Sequence, residues 1–269
     1  MIIDCHTHIF TEEQYRAYRK RGGDRMDRII TIHDWDLTAE GERAPTNASM
    51  VAFVKSKPDI SLIASVDIRE DLDRQLRELE AWFVSGDIVG LKLYPGYQPF
   101  YVSDPRIDPF AALCAKYKKP LTIHGGDVYD PQGTARLLFS HPIHVDELAV
   151  RHRDCNFIIA HFGFPYFAET ANVVSKNPNV YTDISAALTD LPPDEAKALF
   201  DQFVLDIERA FAFYPDVRKK TLFGTDYAGE HTYLNQVEPY FRAVQRLFPD
   251  PVLRDRVTGG LAQELFFTA

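Results

Sequence analysis

Eight short apolar runs punctuate the chain, and longer segments with helical spacing lie between them. The runs occupy residues 2–8, 28–33, 60–67, 88–94, 120–124, 156–161, 180–185 and 221–226. Near-continuous stretches of Val, Ile and Leu suit parallel strands that are covered on both faces. Between them, residues 71–83 put Leu72, Leu76, Leu79 and Phe83 on one helical face. Residues 194–214 do the same with Leu199, Phe203, Ile207 and Phe211, behind a Pro192-Pro193-Asp194 start signal. Strands alternating with helices predict βαβ units and a parallel sheet. Eight such units fit a closed (β/α)8 TIM barrel, which typically takes about 250 residues. The 269 residues are therefore expected to form one barrel domain spanning 1–269. The alternative, an open doubly wound sheet, lacks a Gly-rich nucleotide fingerprint after the first run. The long segments 10–27 and 34–57 predict helical insertions after strands one and two, the second broken by Gly41, Pro45 and Asn47. At the C-terminal face of a barrel, insertions of this kind shape a substrate mouth.

Charge and composition remove several functions. Lys and Arg number 30 against 39 Asp and Glu, a net charge of −9, and no basic stretch is long enough to follow a phosphate backbone. Nucleic acid is thus not an expected partner. No apolar run approaches the roughly 18 residues of a membrane span, so no membrane partner is expected either. The opening MIIDCHTHIF does not read as a signal peptide. Cys5, Cys114 and Cys155 are odd in number and widely spaced, which argues against a disulfide framework. The expectation is a cytoplasmic protein acting on a small-molecule substrate; a homo-oligomer is compatible with the sequence.

The chemistry lies in how the runs end: His6 and His8, Lys92, His124, His161 and Asp226. In a barrel these are C-terminal strand ends, where catalytic residues gather. His6 and His8 are two apart, so on a strand both imidazoles face one side with Cα atoms about 7 Å apart, close enough to converge on one divalent ion. Asp4 is expected to share that inward parity one layer deeper, where it would orient a ligand or a neighbouring strand. His124 precedes Gly125-Gly126, a turn expected to let backbone approach a ligand. A single buried histidine is an ordinary core residue. Five such strand ends in series are hard to explain that way.

These pieces resemble the amidohydrolase superfamily of metal-dependent TIM-barrel hydrolases. The matching motifs are Asp4-Cys-His6-Thr-His8, Gly90-Leu-Lys92-Leu-Tyr94-Pro95, Thr122-Ile-His124, His161-Phe-Gly163 and Phe223-Gly-Thr-Asp226-Tyr. The closing Gly259-Gly260-Leu-Ala-Gln-Glu-Leu-Phe looks like the last helix of the branch that includes aminocarboxymuconate semialdehyde decarboxylase. The resemblance implies that His6, His8 and Asp226 hold a first metal. In mononuclear branches His124 would join them and His161 would be catalytic. In binuclear members such as dihydroorotase, the strand-four lysine is carboxylated and bridges two ions, with the strand-five and strand-six histidines holding the second. Lys92 looks like that lysine, so one or two ions are implied, and Lys92 is either carboxylated or a plain ammonium paired with a barrel carboxylate such as Asp183.

Imidazole-rich donors suit zinc among divalent ions. Such a site keeps an open position, where a bound water's pKa falls toward about 7. Asp226 is expected to bind metal through one oxygen and to act as general base through the other. His161 would polarise a carbonyl or bind metal. Two aromatic groups follow strands four and six: Tyr94, Tyr97, Phe100 and Tyr101, then Phe162, Phe164, Tyr166 and Phe167. About half are expected to line a ring-accepting pocket and the rest to pack the rim. Arg106 is a candidate partner for a substrate carboxylate. The leading expectation is a hydrolase of a C–O or C–N bond in a lactone, ester or amide. A non-oxidative decarboxylase of an unsaturated or aromatic acid is the alternative. A non-catalytic barrel is disfavoured, because unpaired buried imidazoles and carboxylates are costly.

Overall fold

The computed structural model describes residues 1–34, 45–128, 130, 133–185, 193–229 and 237–268. Gly41 and Pro192 lie outside these residues. Eight strands run in chain order around one parallel sheet: β1 (Ile3–Thr7), β2 (Arg28–Ile32), β3 (Ile60–Ser65), β4 (Gly90–Leu93), β5 (Leu121–Ile123), β6 (Phe157–Ile159), β7 (Val180–Asp183) and β8 (Thr221–Leu222). Each falls inside one of the eight apolar runs. The seam between β8 and β1 is bridged by main-chain bonds from Cys5 N to Phe223 O (3.1 Å), Asp226 N to His6 O (2.7 Å) and His8 N to Tyr227 O (2.7 Å). The fold is the TIM barrel that the alternation predicts.

Helices α1 (Glu12–Lys20), α2 (Asn47–Lys55), α3 (Leu72–Ser85), α4 (Asp108–Tyr117), α5 (Leu137–Ser140), α6 (His144–Arg151), α7 (Phe167–Lys176), α8 (Pro193–Phe213), α9 (Val237–Leu247) and α10 (Pro251–Asp255) connect the strands and close the chain. The long segments after strands one and two each carry a helix, α1 and α2. Local chemistry sets their ends. Thr11 and Gln14 form a reciprocal capping box at the start of α1. Asp71 caps α3, and Gly86 ends it in the left-handed region. No helix among the described residues is long and apolar enough to cross a membrane.

Two apolar layers result. Ile29, Leu62, Leu91, Leu121, Phe157 and Val180 face the helices, while Ile3, Cys5, Ile30, Ile63, Ile158 and Leu222 belong to the second cluster, inside the barrel. The closing segment packs Leu261, Leu265 and Phe266 onto this interior cluster. Burying a side chain such as Phe266 stabilises by about 1.5–3 kcal/mol.

The first strand departs from simple alternation. Its pairing with β2 shifts register between Asp4 and Thr7. This inserts an irregularity that reverses side-chain parity partway along the strand. Cys5 is therefore interior, and Asp4 does not share the inward face of His6 and His8. Asp4 instead accepts from Tyr18 of α1 (2.7 Å), Thr225 Oγ1 (2.7 Å), Thr225 N (3.0 Å) and His6 N (3.2 Å). It still ties two strands together, as its position suggested, but from the helix side. Burial pushes its carboxyl up to about 6, against the hydrogen bonds it receives from Tyr18 and Thr225.

Candidate active site

The strand ends place His6, His8, Lys92, His124, His161 and Asp226 at one end of the barrel. His6 and Lys92 are fully buried, and His8, His124 and Asp226 are nearly so. Two of these positions carry unusual backbone. His161 (φ 61°), with Phe162 (φ 49°), and Asp226 (φ 56°) lie in the left-handed region. Each such residue costs on the order of 1–3 kcal/mol, and strain of this kind clusters at functional sites. The left-handed step turns the chain sharply right after β6 and at the β8 end. Gly224 lets β8 pass close to β1, since a Cβ there would sit 2.8 Å from His6 Cβ.

Hydrogen bonding fixes the tautomers. His6 Nδ1 lies 2.9 Å from Asp183 Oδ2, and His8 Nδ1 lies 3.1 Å from Ile32 O. Neither acceptor carries a proton, so both rings hold theirs on Nδ1 and present a lone pair on Nε2. These two Nε2 atoms lie 3.4 and 3.2 Å from Asp226 Oδ1. Among the described residues, Asp226 Oδ1 is itself buried with no hydrogen-bond partner. Three lone-pair atoms thus converge without a proton among them, an arrangement that a divalent cation resolves and water exclusion otherwise penalises. The residues present fit a metal ion.

Two compact groups of metal-competent atoms occur among the described residues: His6, His8 and Asp226, and His6, His161 and Asp183. His161 Nδ1 lies 3.8 Å from the other Asp226 oxygen. It donates to Ser185 O at 3.2 Å, with Ser185 Oγ at 3.0 Å, which leaves its Nε2 lone pair free. His124 belongs to neither compact group. Its Nε2 donates to Asp127 O at 2.7 Å, and its ring centroid stands 5.1 Å from that of His161. Lys92 Nζ reaches His6 Nε2 at 3.5 Å. The Lys92–Asp183 ion pair that the plain-ammonium alternative allowed is not formed; Asp183 is instead engaged by His6 at 2.9 Å.

Electrostatics follow from enclosure. Burial, and then the Lys92 charge, push His6 down to about 4, so it is neutral near pH 7. Burial likewise lowers His161 and takes His124 well below the usual imidazole range. Lys92 is pushed down to about 8 by burial, against the pull of Asp183 and Asp226. Burial pushes Asp226 up, but His161, His6 and His8 more than offset it and hold the carboxyl well below its usual range.

Of the aromatic side chains, Tyr94 and Tyr97 stand against His124, with ring centroids 6.4 and 4.9 Å away. Phe100, Phe162 and Phe167 are core residues, and Phe164 packs on that core. Tyr101 and Tyr166 pack on His144 and His141. Arg106 is held by Asp104 at 2.8 Å on an exposed turn, so the carboxylate-binding expectation finds no support there. The Gly125-Gly126 turn does admit a close approach, but of backbone. A Cβ on Gly126 (φ +91°) would lie 1.9 Å from Phe164 O. Gly126→Ala is expected to cost about 1–3 kcal/mol from the φ alone, read as a lowered urea midpoint.

Sequence reasoning did not find the roles of Asp183 and Ser185. The signal was present: the seventh run ends Asp183-Ile-Ser185, with the spacing of His6-Thr-His8.

A family model described as amidohydrolase matches residues 3–268. No curated protein matches the chain significantly. Several solved structures share its fold. A probable 2-pyrone-4,6-dicarboxylic acid hydrolase from Acinetobacter baumannii is 15% identical, with 99% of each chain covered and a TM-score of 0.67. A zinc-bound amidohydrolase from Burkholderia multivorans is 15% identical over 100% of both chains, with a TM-score of 0.63. 5-Carboxyvanillate decarboxylase from Sphingomonas paucimobilis is 12% identical over 100% of this chain and 99% of its own, with a TM-score of 0.61.

Proposed function

The chain belongs to the amidohydrolase family, and from that premise we propose that it is a metal-dependent hydrolase cleaving a C–O or C–N bond in a small molecule. The substrate is a lactone, ester or amide, and the ion is zinc. One observation carries the reading: two imidazole Nε2 lone pairs meet a buried carboxylate oxygen of Asp226 that has no hydrogen-bond partner among the described residues. His6, His8 and Asp226 would hold the ion. When bound, it supplies Lewis acidity and lowers the pKa of a water at its open position toward about 7.

The chain's own groups supply the rest. Asp226 Oδ1 faces the histidines, which leaves Oδ2 to take the proton from attacking water and pass it to the leaving group. His161 is held through Nδ1 by Ser185 O, with that nitrogen 3.8 Å from Asp226 Oδ2, and keeps its Nε2 lone pair for accepting or relaying a proton. Tyr94 and Tyr97 wall the His124 side and favour a flat ring. The test is a screen of zinc-loaded protein against lactones, esters, amides and aromatic acids. Hydrolysis of one of the first three is expected. Release of carbon dioxide from an aromatic acid, with no hydrolysis anywhere, would assign the site to decarboxylation instead.

Lys92 sets the number of ions. Its lowered pKa makes the neutral amine accessible, and the amine is the form that adds carbon dioxide. A carbamate on Lys92 would complete a second donor set with His124 and His161. Lys92→Ala is then expected to lose about one metal equivalent, and bicarbonate during reconstitution should raise metal content in the parent. Equal metal content in parent and variant, by elemental analysis, reduces the site to one ion.

A further inference from the structure

Asp183 ends β7 and is almost fully buried at 1% exposure. Among the described residues, every hydrogen-bond partner of its carboxylate is a donor. On one side His6 Nδ1–H donates to Oδ2 at 2.9 Å. On the other, His161 N–H (2.9 Å), Ser185 N–H (3.0 Å) and the Ser185 hydroxyl (2.5 Å) all donate to Oδ1. A carboxylate is the only side chain of this size that accepts on both faces at once. We propose that Asp183 is a positioning residue: it fixes the Nδ1–H tautomer of His6, aims Nε2 at the cation, and anchors the left-handed turn carrying His161. The inference rests on the metal-dependent reading only for its effect on affinity; the tautomer claim stands on the hydrogen bonds alone.

Ser185 supports the same arrangement. Its hydroxyl proton goes to Asp183, and its oxygen lies 3.0 Å from both His6 Nδ1 and His161 Nδ1. The side chain is fully buried. Ser185 is therefore a bridge between two imidazoles, with its hydroxyl proton committed to Asp183.

Asparagine in place of Asp183 is nearly isosteric but accepts on one face only. If its oxygen serves the three donors from His161 and Ser185, its NH2 confronts His6 Nδ1–H. The imidazole escapes that clash by moving its proton to Nε2, the atom needed for the cation. Such changes behind a metal-binding histidine typically weaken binding about 10–100-fold.

The experiment compares parent and Asp183→Asn protein labelled with 15N-histidine, using long-range 1H–15N correlations that distinguish the tautomers. The parent is expected to show His6 as Nδ1–H, and Asp183→Asn as Nε2–H. Zn2+ affinity, measured by chelator competition, should fall 10–100-fold with the number of ions bound at saturation unchanged. Asp183→Glu, which restores a carboxylate, should recover the Nδ1–H form. A parent spectrum with His6 as Nε2–H overturns the proposal without any variant, which covers the case in which Asp183→Asn does not fold. An unchanged tautomer with a whole ion lost would make Asp183 a direct ligand, and that also overturns it. If Zn2+ binds neither protein, the hydrolase reading fails while the tautomer shift still decides the role of Asp183.

Discussion

Replacing His6 and His8 together by alanine is expected to strip the proposed divalent ion from the protein and to abolish the proposed hydrolysis. The two imidazoles supply two of the three lone-pair atoms that converge at Asp226 Oδ1, within 3.4 and 3.2 Å. One carboxylate oxygen cannot hold a zinc ion against water, because affinity at such sites comes from three or more donors acting together. Without the ion, the attacking water returns toward its bulk pKa of about 15.7, and Asp226 is too weak a base to remove its proton. Elemental analysis and turnover on the substrate found by screening check this directly. Circular dichroism guards against simple unfolding, since both rings are buried and bonded to Asp183 and Ile32. A folded double variant that keeps its parent's metal content removes the site from consideration.

Asp226→Asn should leave the fold intact and lower kcat by about 10²–10⁴-fold, the range of a lost general base. The backbone bonds that seat residue 226, from its N–H to His6 O and from His8 N–H to Tyr227 O, do not involve the side chain. The amide can still offer an oxygen to the ion, so metal content should fall less than in the double histidine variant. It cannot accept the water's proton on the other face. Steady-state kinetics with metal analysis separates the two effects. A kcat within threefold of the parent would show that another group carries the proton, with His161, 3.8 Å from Asp226 Oδ2 and outside the proposed first-ion set, the candidate.

The eight strands were legible in the sequence because parallel strands covered on both faces need uninterrupted apolar runs, a local requirement that composition reveals. The clustering of the candidate residues was legible for a related reason. In a barrel every strand ends on the same face, so His6, His8, Lys92, His124, His161 and Asp226 meet there whatever the loops between them do. Partner choice was not legible. The register shift between Asp4 and Thr7 reverses parity within one strand, and a period-two pattern carries no mark of a single extra residue. That shift sends Asp4 to Tyr18 and leaves Cys5 inside. Asp183 and His6 are 177 residues apart, and no spacing rule shows that Asp183 serves the imidazole rather than Lys92. The neighbour of Gly126 is likewise another loop's carbonyl, Phe164 O. Arg106 is claimed by Asp104 beside it. Which residue types reach the barrel mouth is determined by sequence, through strand periodicity and common strand polarity. Which atom each one meets there depends on ångström-scale register between strands, and only the tertiary structure decides that.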